Sequence, residues 1–359
     1  MRWEENVRKV IPYVPGEQPK RQDIIKLNTN EFPYPPAPAI KKAIAEFDYE
    51  NLRLYPDPCI NNLVNSIADT YGLDSKNVFV GVGSDDVLAM AFLTFFNSNK
   101  KILFPDITYS FYDVWADLYR IPYEVQPLNE DFSINKEDYF KENGGVIFPN
   151  PNAPTGVEES LAMIEEIIQK NPDVVVIIDE AYVDFGAKSA LPLIEKYENL
   201  LVVQTFSKSR ALAGIRIGCA FGSEKIIKYL NDAKFSFNSY TISRLTETVG
   251  CACLGDKEYF EKTVQKVIDT RERVKVRMKE LGFEFADSKA NFIFASHKRV
   301  SAKELFEALR EEGIIVRYFN KPRIDNYLRI SIGTDEQMDA MLSFLTKYLN
   351  SKSQAGRTL

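Results

Sequence analysis

The run Val174-Val175-Val176-Ile177-Ile178, followed at once by Asp179-Glu180-Ala181-Tyr182, decides the fold. Five β-branched side chains in succession leave no polar face, so they predict a strand covered on both sides. Such strands belong to parallel sheets sandwiched between helices, and the flanking chain keeps that rhythm. Just upstream, 146–148 reads as a buried strand. A helix over 159–169 follows it, with Leu161, Ile164, Ile167 and Ile168 on one face. Downstream, 201–205 and 215–221 read as strands. Further upstream come strands at 77–81, 101–104 and 124–128. Helices are expected over 61–71, after a cap at Ser84, and over 109–119.

After Leu230 the composition changes. A charged helix is expected over 257–281, then strands at 291–295, 314–317 and 327–332, with helices at 301–312 and 335–349. The expected architecture is α/β. A large domain over 36–255 carries a mostly parallel central sheet wrapped by helices, and a smaller α/β domain covers 256–350. Prolines at 12, 15, 19, 33, 35 and 36 make 1–35 an irregular arm that packs with the smaller domain or on a partner. Residues 351–359 read as a frayed polar tail.

Composition narrows the function. The 359 residues carry 45 basic and 51 acidic side chains, a net charge of -6, so the basic footprint of a nucleic-acid binder is absent. One histidine, His297, excludes a zinc site built on two or three imidazoles. It leaves a Ser-His-Asp triad only through His297 itself. Cys59, Cys219, Cys251 and Cys253 match no metal or redox spacing and suit a reducing compartment, and no metal is expected. No apolar run is long enough to span a bilayer and the N-terminus shows no export signal. The expectation is a soluble cytoplasmic protein with no membrane contact.

Parallel sheets bind ligands beyond the carboxyl ends of their strands, so the residues after each strand carry the functional reading. Gly81-Val82-Gly83-Ser84-Asp85 offers free N–H groups to an anion, although a plain tight turn reads the same way. Asp179 ends a buried strand and needs a cationic or hydrogen-bonding partner; a protonated pyridine nitrogen or a core arginine would serve. Ser207-Lys208 leaves another strand, and a desolvated lysine forms Schiff bases with aldehydes. Arg216 follows closely enough to share a phosphate with Ser207. Asn152 sits in a rigid turn and can present its amide to a ligand or to its own backbone. Tyr109 can stack on a flat ring or lie in the core. As a set, ring stacker, carboxylate, lysine and phosphate cradle fit pyridoxal 5'-phosphate.

The sequence resembles the fold-type I aminotransferases, and within them the histidinol-phosphate aminotransferase family. The resemblance runs through Pro12-Tyr13, 27–31, Tyr55-Pro56, Ser84-Asp85, 152–156, 179–182, 205–216 and 328–333. It implies that Lys208 holds the cofactor aldehyde and shuttles the substrate proton, that Asp179 pairs with the ring nitrogen, and that Tyr109 stacks on the ring. Tyr182 and Asn152 would contact the ring hydroxyl oxygen. Ser84, Asp85, Ser207 and Arg216 would hold the phosphate, with Tyr55 reaching in from the neighbouring subunit of a homodimer. Tyr13, Asn30, Arg317 and Arg329 would surround the substrate. The implied reaction passes an amino group from L-histidinol phosphate to 2-oxoglutarate, giving imidazole acetol phosphate and L-glutamate in histidine biosynthesis. Rival readings are an aminotransferase for aromatic or branched amino acids, a threonine-phosphate decarboxylase, and a non-enzymatic ligand sensor. One departure stands out: many relatives carry Asn directly before Pro-Thr-Gly, where this chain has Ala153.

Overall fold

The computed structural model describes residues 2–14, 16–18 and 23–355. Pro15, Pro19 and positions 356–359 of the expected tail lie outside these. After β1 (Ile25–Leu27), α1 (Pro38–Glu46) and α2 (Asn61–Tyr71), the chain lays down β2 (Val78–Gly81), α3 (Gly83–Phe95), β3 (Ile102–Pro105), α4 (Tyr112–Tyr119) and β4 (Tyr123–Gln126). Next come β5 (Val146–Pro149), α5 (Leu161–Lys170), β6 (Val176–Asp179), β7 (Leu200–Thr205) and β8 (Gly218–Gly222). Strands β2 to β8 form one seven-stranded sheet in the order β2-β8-β7-β6-β5-β3-β4. Its members run parallel except β8, which is antiparallel to both β7 and β2.

The central strands are buried on both faces, as their lack of alternation requires. Val176, Ile178, Leu200 and Val202 face one core with Leu63, Ile67, Ile164 and Ile167. Ile177, Leu201 and Val203 face the opposite core with Leu88, Phe92 and Leu230. Each such aliphatic side chain contributes about 1.5–3 kcal/mol by leaving water. Helix α5 is capped by Ser160, whose hydroxyl accepts from the Met163 N–H, and α2 ends on Gly72 in the left-handed region.

The remaining chain forms α6 (Glu224–Phe237), α7 (Arg244–Leu254), α8 (Lys257–Glu280), β9 (Phe283–Phe285), β10 (Phe292–His297), α9 (Ala302–Glu311), β11 (Ile314–Tyr318), β12 (Leu328–Ser331) and α10 (Asp335–Ala355). A five-stranded sheet in the order β1-β11-β12-β10-β9 organises this part, and β1 from the arm joins it in parallel with β11. The arm therefore carries a strand where only irregular chain is expected.

Several boundaries differ from expectation for physical reasons. Ser84 is not the cap of α3: Val82 occupies that position and the Asp86 carboxylate accepts its N–H instead. Tyr109 does not open α4, which starts at Tyr112. Helix α10 continues through 355 into the expected tail. His297 is spent on structure, its Nδ1 accepting from the N–H groups of Arg299 and Val300 and its Nε2 contacting the Leu281 carbonyl oxygen at 3.0 Å. That removes the one candidate for a histidine triad. All four cysteines are free thiols. Among the described residues no helix is long and apolar enough to cross a membrane.

Candidate active site

A cleft opens at the carboxyl ends of β5, β6 and β7. Ser84, Asp85, Tyr109, Asp179, Tyr182, Ser207, Lys208 and Arg216 all line it. Eight residues singled out from the sequence thus meet at one place, although they span 133 positions of chain.

Asp179 ends β6 on the cleft side and is 4% exposed. Its carboxylate accepts from Tyr112 Oη at 2.9 Å and from the Ala181 N–H at 3.2 Å. Burial pushes its pKa up to about 6, the Tyr112 bond pulling the other way. Glu180 points to the opposite side, as strand alternation demands. There Ser189, the Ala190 N–H and Gln204 donate to it, and burial raises it to about 7.

Lys208 follows β7 and donates from Nζ to the Thr29 carbonyl at 3.3 Å, with the ammonium 5.6 Å from the Tyr182 ring centre. The Lys208 amine and the Asp179 carboxylate line the same cleft.

The anion cradle is built from the start of α3. Gly83 has φ of +83°, and a Cβ there would sit 2.4 Å from Arg216 Nη2, so only glycine allows the guanidinium this close. Arg216 itself holds a left-handed φ of 60°, a strained position for a side-chain-bearing residue. It donates to Ser207 Oγ at 3.3 Å and pairs with Asp85 at 3.2 Å. Tyr109 Oη also donates to Asp85, at 2.7 Å. The Asp85 carboxylate is therefore committed to steering Arg216 and Tyr109; toward an anion it can offer its main chain alone.

Asn152 departs from expectation. Its Nδ2 donates to the Ile107 carbonyl and to Thr155 Oγ1, both at 3.0 Å, and Ala153 lines the cleft in its place. That nitrogen is spent on the loop after β3 and on the Thr155 hydroxyl, while Asn152 Oδ1 is buried without a partner. Asn30, by contrast, gives its Nδ2 to Tyr182 Oη at 2.9 Å.

Arg317 and Arg329 are directly opposed across the β11–β12 ladder. Like charges facing each other there are unfavourable without an anion. Among the described residues neither has a carboxylate partner. Arg329 donates from Nη2 to the Asn28 carbonyl at 3.0 Å, while its buried Nε lacks a partner. Burial lowers its pKa, Tyr182 opposes that, and Arg317 adds to the drop. Tyr13 stacks on Phe111 with centroids 4.1 Å apart and shares a neighbouring groove with Arg317. Tyr55 is not brought to this cleft: it is 76% exposed and packs on Tyr240.

The profile of the family "Aminotransferase class I and II" matches residues 22–345. The chain belongs to this family. It is 53% identical over 355 residues to the histidinol-phosphate aminotransferase of Lactococcus lactis subsp. cremoris (strain MG1363), covering 99% of this chain and all of that one. Among solved structures, it superposes on the histidinol-phosphate aminotransferase of Clostridium acetobutylicum with a TM-score of 0.84 at 23% identity, covering 91% of this chain and 100% of that one. The Sinorhizobium meliloti histidinol-phosphate aminotransferase, solved in complex with pyridoxal-5'-phosphate, gives 0.82 at 22% identity over 91% of each chain. These structural likenesses speak for the fold.

An aminotransferase needs a place for a pyridoxal ring, and this cleft has the matching donor set. Asp179 is a buried carboxylate facing the cleft with neutral donors only, so a ring N–H cation supplies the charge it lacks. Lys208 supplies an amine, and Gly83, Ser207 and Arg216 form the cradle. Sequence reasoning missed Tyr112 and Thr29, and with them Ser331 and Asn291, which hold Asn30. Tyr112 had one available signal: a wholly buried tyrosine must find a partner for its hydroxyl.

Proposed function

We propose that this chain transfers the amino group between L-histidinol phosphate and 2-oxoglutarate, using pyridoxal 5'-phosphate. The observation that carries the substrate reading is the pair Arg317 and Arg329, opposed across β11–β12 without a carboxylate on either among the described residues, Arg317 lining the neighbouring groove and Arg329 half-buried within electrostatic reach of Tyr182. Planar guanidinium forks accept a phosphate in one half-reaction and a carboxylate in the other. The full-length likeness to the Lactococcus histidinol-phosphate aminotransferase supports it, and the aromatic-transaminase and threonine-phosphate decarboxylase readings are not favoured.

When bound, the cofactor supplies an aldehyde that condenses with amines and a ring that accepts the electron pair left at the substrate carbon. The protein does the rest. Lys208 Nζ would hold the cofactor aldehyde and, when free of it, would take the proton from the substrate carbon. Asp179 holds the ring nitrogen protonated, and Tyr112 fixes the carboxylate that does so. Tyr109 would stack on the ring, and Tyr182 would donate to the ring oxygen. Ser84, Ser207 and Arg216 hold the cofactor phosphate, with Asp85 aiming Arg216. Tyr13, Arg317 and Arg329 receive the substrate.

The working unit in this reading is a homodimer, in which Tyr55 completes the partner's cradle. Exposed Tyr49, Leu52, Leu54, Tyr55, Phe237 and Tyr240 favour a covered face there. We assign 36–255 to the cofactor-binding domain, and 256–350 with the arm to the smaller one. Free thiols suit a cytoplasmic setting. The deciding experiment is a single turnover: the cofactor-loaded protein is mixed with histidinol phosphate and its absorbance is followed. Conversion to the amine form of the cofactor is expected. Conversion by phenylalanine but not histidinol phosphate would refute the substrate assignment.

A further inference from the structure

Three consecutive residues touch three separate parts of the site. The Asn28 carbonyl accepts from Arg329, the Thr29 carbonyl accepts from Lys208 Nζ, and the Asn30 amide donates to Tyr182. Asn30 anchors the segment. It holds a left-handed φ of 56°. Its N–H donates to Ser331 Oγ at 2.9 Å, and its Oδ1 accepts the same hydroxyl at 2.9 Å. Its carbonyl accepts from Asn291 Nδ2 at 3.0 Å. One amide hydrogen is the only donor that Asn30 leaves uncommitted, and the residue is 1% exposed. A residue so fully spent is poorly placed to bind substrate directly.

The partners come from both sheets. Ser331 ends β12 and Asn291 directly precedes β10, whereas Tyr182 and Lys208 follow β6 and β7. Asn30 therefore ties the five-stranded sheet to the reactive groups of the seven-stranded one. The consequences are directional. With Asn30 Nδ2 donating to Oη, the phenol's own hydrogen is turned elsewhere, and Tyr182 lines the cleft beside Ala153, which brings no amide. An N–H given to the Thr29 carbonyl likewise fixes where Lys208 Nζ sits.

We propose that Asn30 is a positioning residue: it aims the Tyr182 hydroxyl and, by fixing the Thr29 carbonyl, the Lys208 amine. It replaces, from the other sheet, the orienting amide that the 152–153 turn withholds. This inference rests on the cofactor reading above. A phenol hydrogen donated to the cofactor ring oxygen stabilises that oxygen's anion. Weakening the donor therefore raises the pH midpoint of the visible absorbance change of the cofactor-loaded protein.

The test measures that midpoint for the wild-type protein, Asn30→Ala, Asn30→Asp and Asn152→Ala. Asn30→Asp keeps the acceptor for Ser331 and puts a carboxylate oxygen where the Nδ2 donor stood, so it reports even where the alanine variant fails to fold, and Asn30→Ala reads the loss of the donor without the added charge. Both Asn30 variants are expected to move the midpoint up by about half a unit or more. Asn152→Ala is expected to leave it in place. Midpoints of folded Asn30 variants at the wild-type value, or an equal shift in Asn152→Ala, overturn the proposal. A wild-type protein that develops no visible band refutes the cofactor reading instead.

Discussion

Tyr112 gives its phenolic hydrogen to Asp179 across 2.9 Å, and the carboxylate that receives it is buried with no cation on it. Desolvation lifts Asp179 to about 6, above its ordinary value near 4. Between those values the folded, cofactor-free protein keeps a proton that the unfolded chain has released. This part of the stability is complete below the unfolded value and is lost as pH rises through about 6. Asp179→Asn removes the titration while keeping an acceptor for Tyr112. Thermal melts from pH 4 to 8 are expected to show cofactor-free wild type losing ground to Asp179→Asn as pH rises, by up to about 3 kcal/mol. Parallel profiles would contradict it.

With cofactor bound the same substitution acts in the opposite sense. Removing one member of a buried ion pair costs about 3–5 kcal/mol. Asp179→Asn is therefore expected to lower kcat by roughly two to four orders of magnitude, measured by steady-state turnover.

Gly83→Ala tests the cradle. The new methyl meets Arg216 Nη2 at 2.4 Å, on a backbone with φ of +83°. Arg216 must withdraw from Ser207. Equilibrium dialysis is expected to show cofactor affinity down by at least about tenfold, a cost of some 1.4 kcal/mol. Unchanged affinity would place the phosphate elsewhere.

Arg329→Lys keeps the charge and loses the fork. Bidentate recognition is not reproduced by an ammonium. A loss of about a hundredfold in kcat/KM is expected for both histidinol phosphate and 2-oxoglutarate, since one arginine pair serves both. A loss confined to one substrate would show that the two anions use different sites.

Tyr55 is exposed in its own chain, which bears on the dimer. Mixing Lys208→Ala with Tyr55→Ala chains creates hybrids in which one of two sites has an intact lysine and an intact partner tyrosine. Random reassociation is expected to restore about a quarter of wild-type activity. No recovery on mixing would argue against sharing.

Much of this arrangement is legible in the chain. The 174–178 run reads as a doubly covered strand; β6 takes Val176–Asp179, with Val174 and Val175 half-buried ahead of it, and it delivers Asp179 to the carboxyl edge of the sheet. Helix α2 is readable at its C-terminal end because its apolar period stops at Gly72. Other features leave no local trace. β1 and β9 are three residues each and owe their existence to their sheet partners. The reversal of β8 is silent because burial pattern does not encode direction. The bond of Asn30 to Ser331, 301 positions away, leaves no local trace, nor does that of the Asn152 amide to Ile107.

The central claim is that Lys208 Nζ carries the cofactor. Reduction of the loaded protein with borohydride, followed by peptide mass analysis, tests it most directly. The account predicts a pyridoxyl phosphate adduct on the peptide containing Lys208, absent in Lys208→Ala. An adduct on another lysine, or none on a protein that shows the visible band, would contradict it.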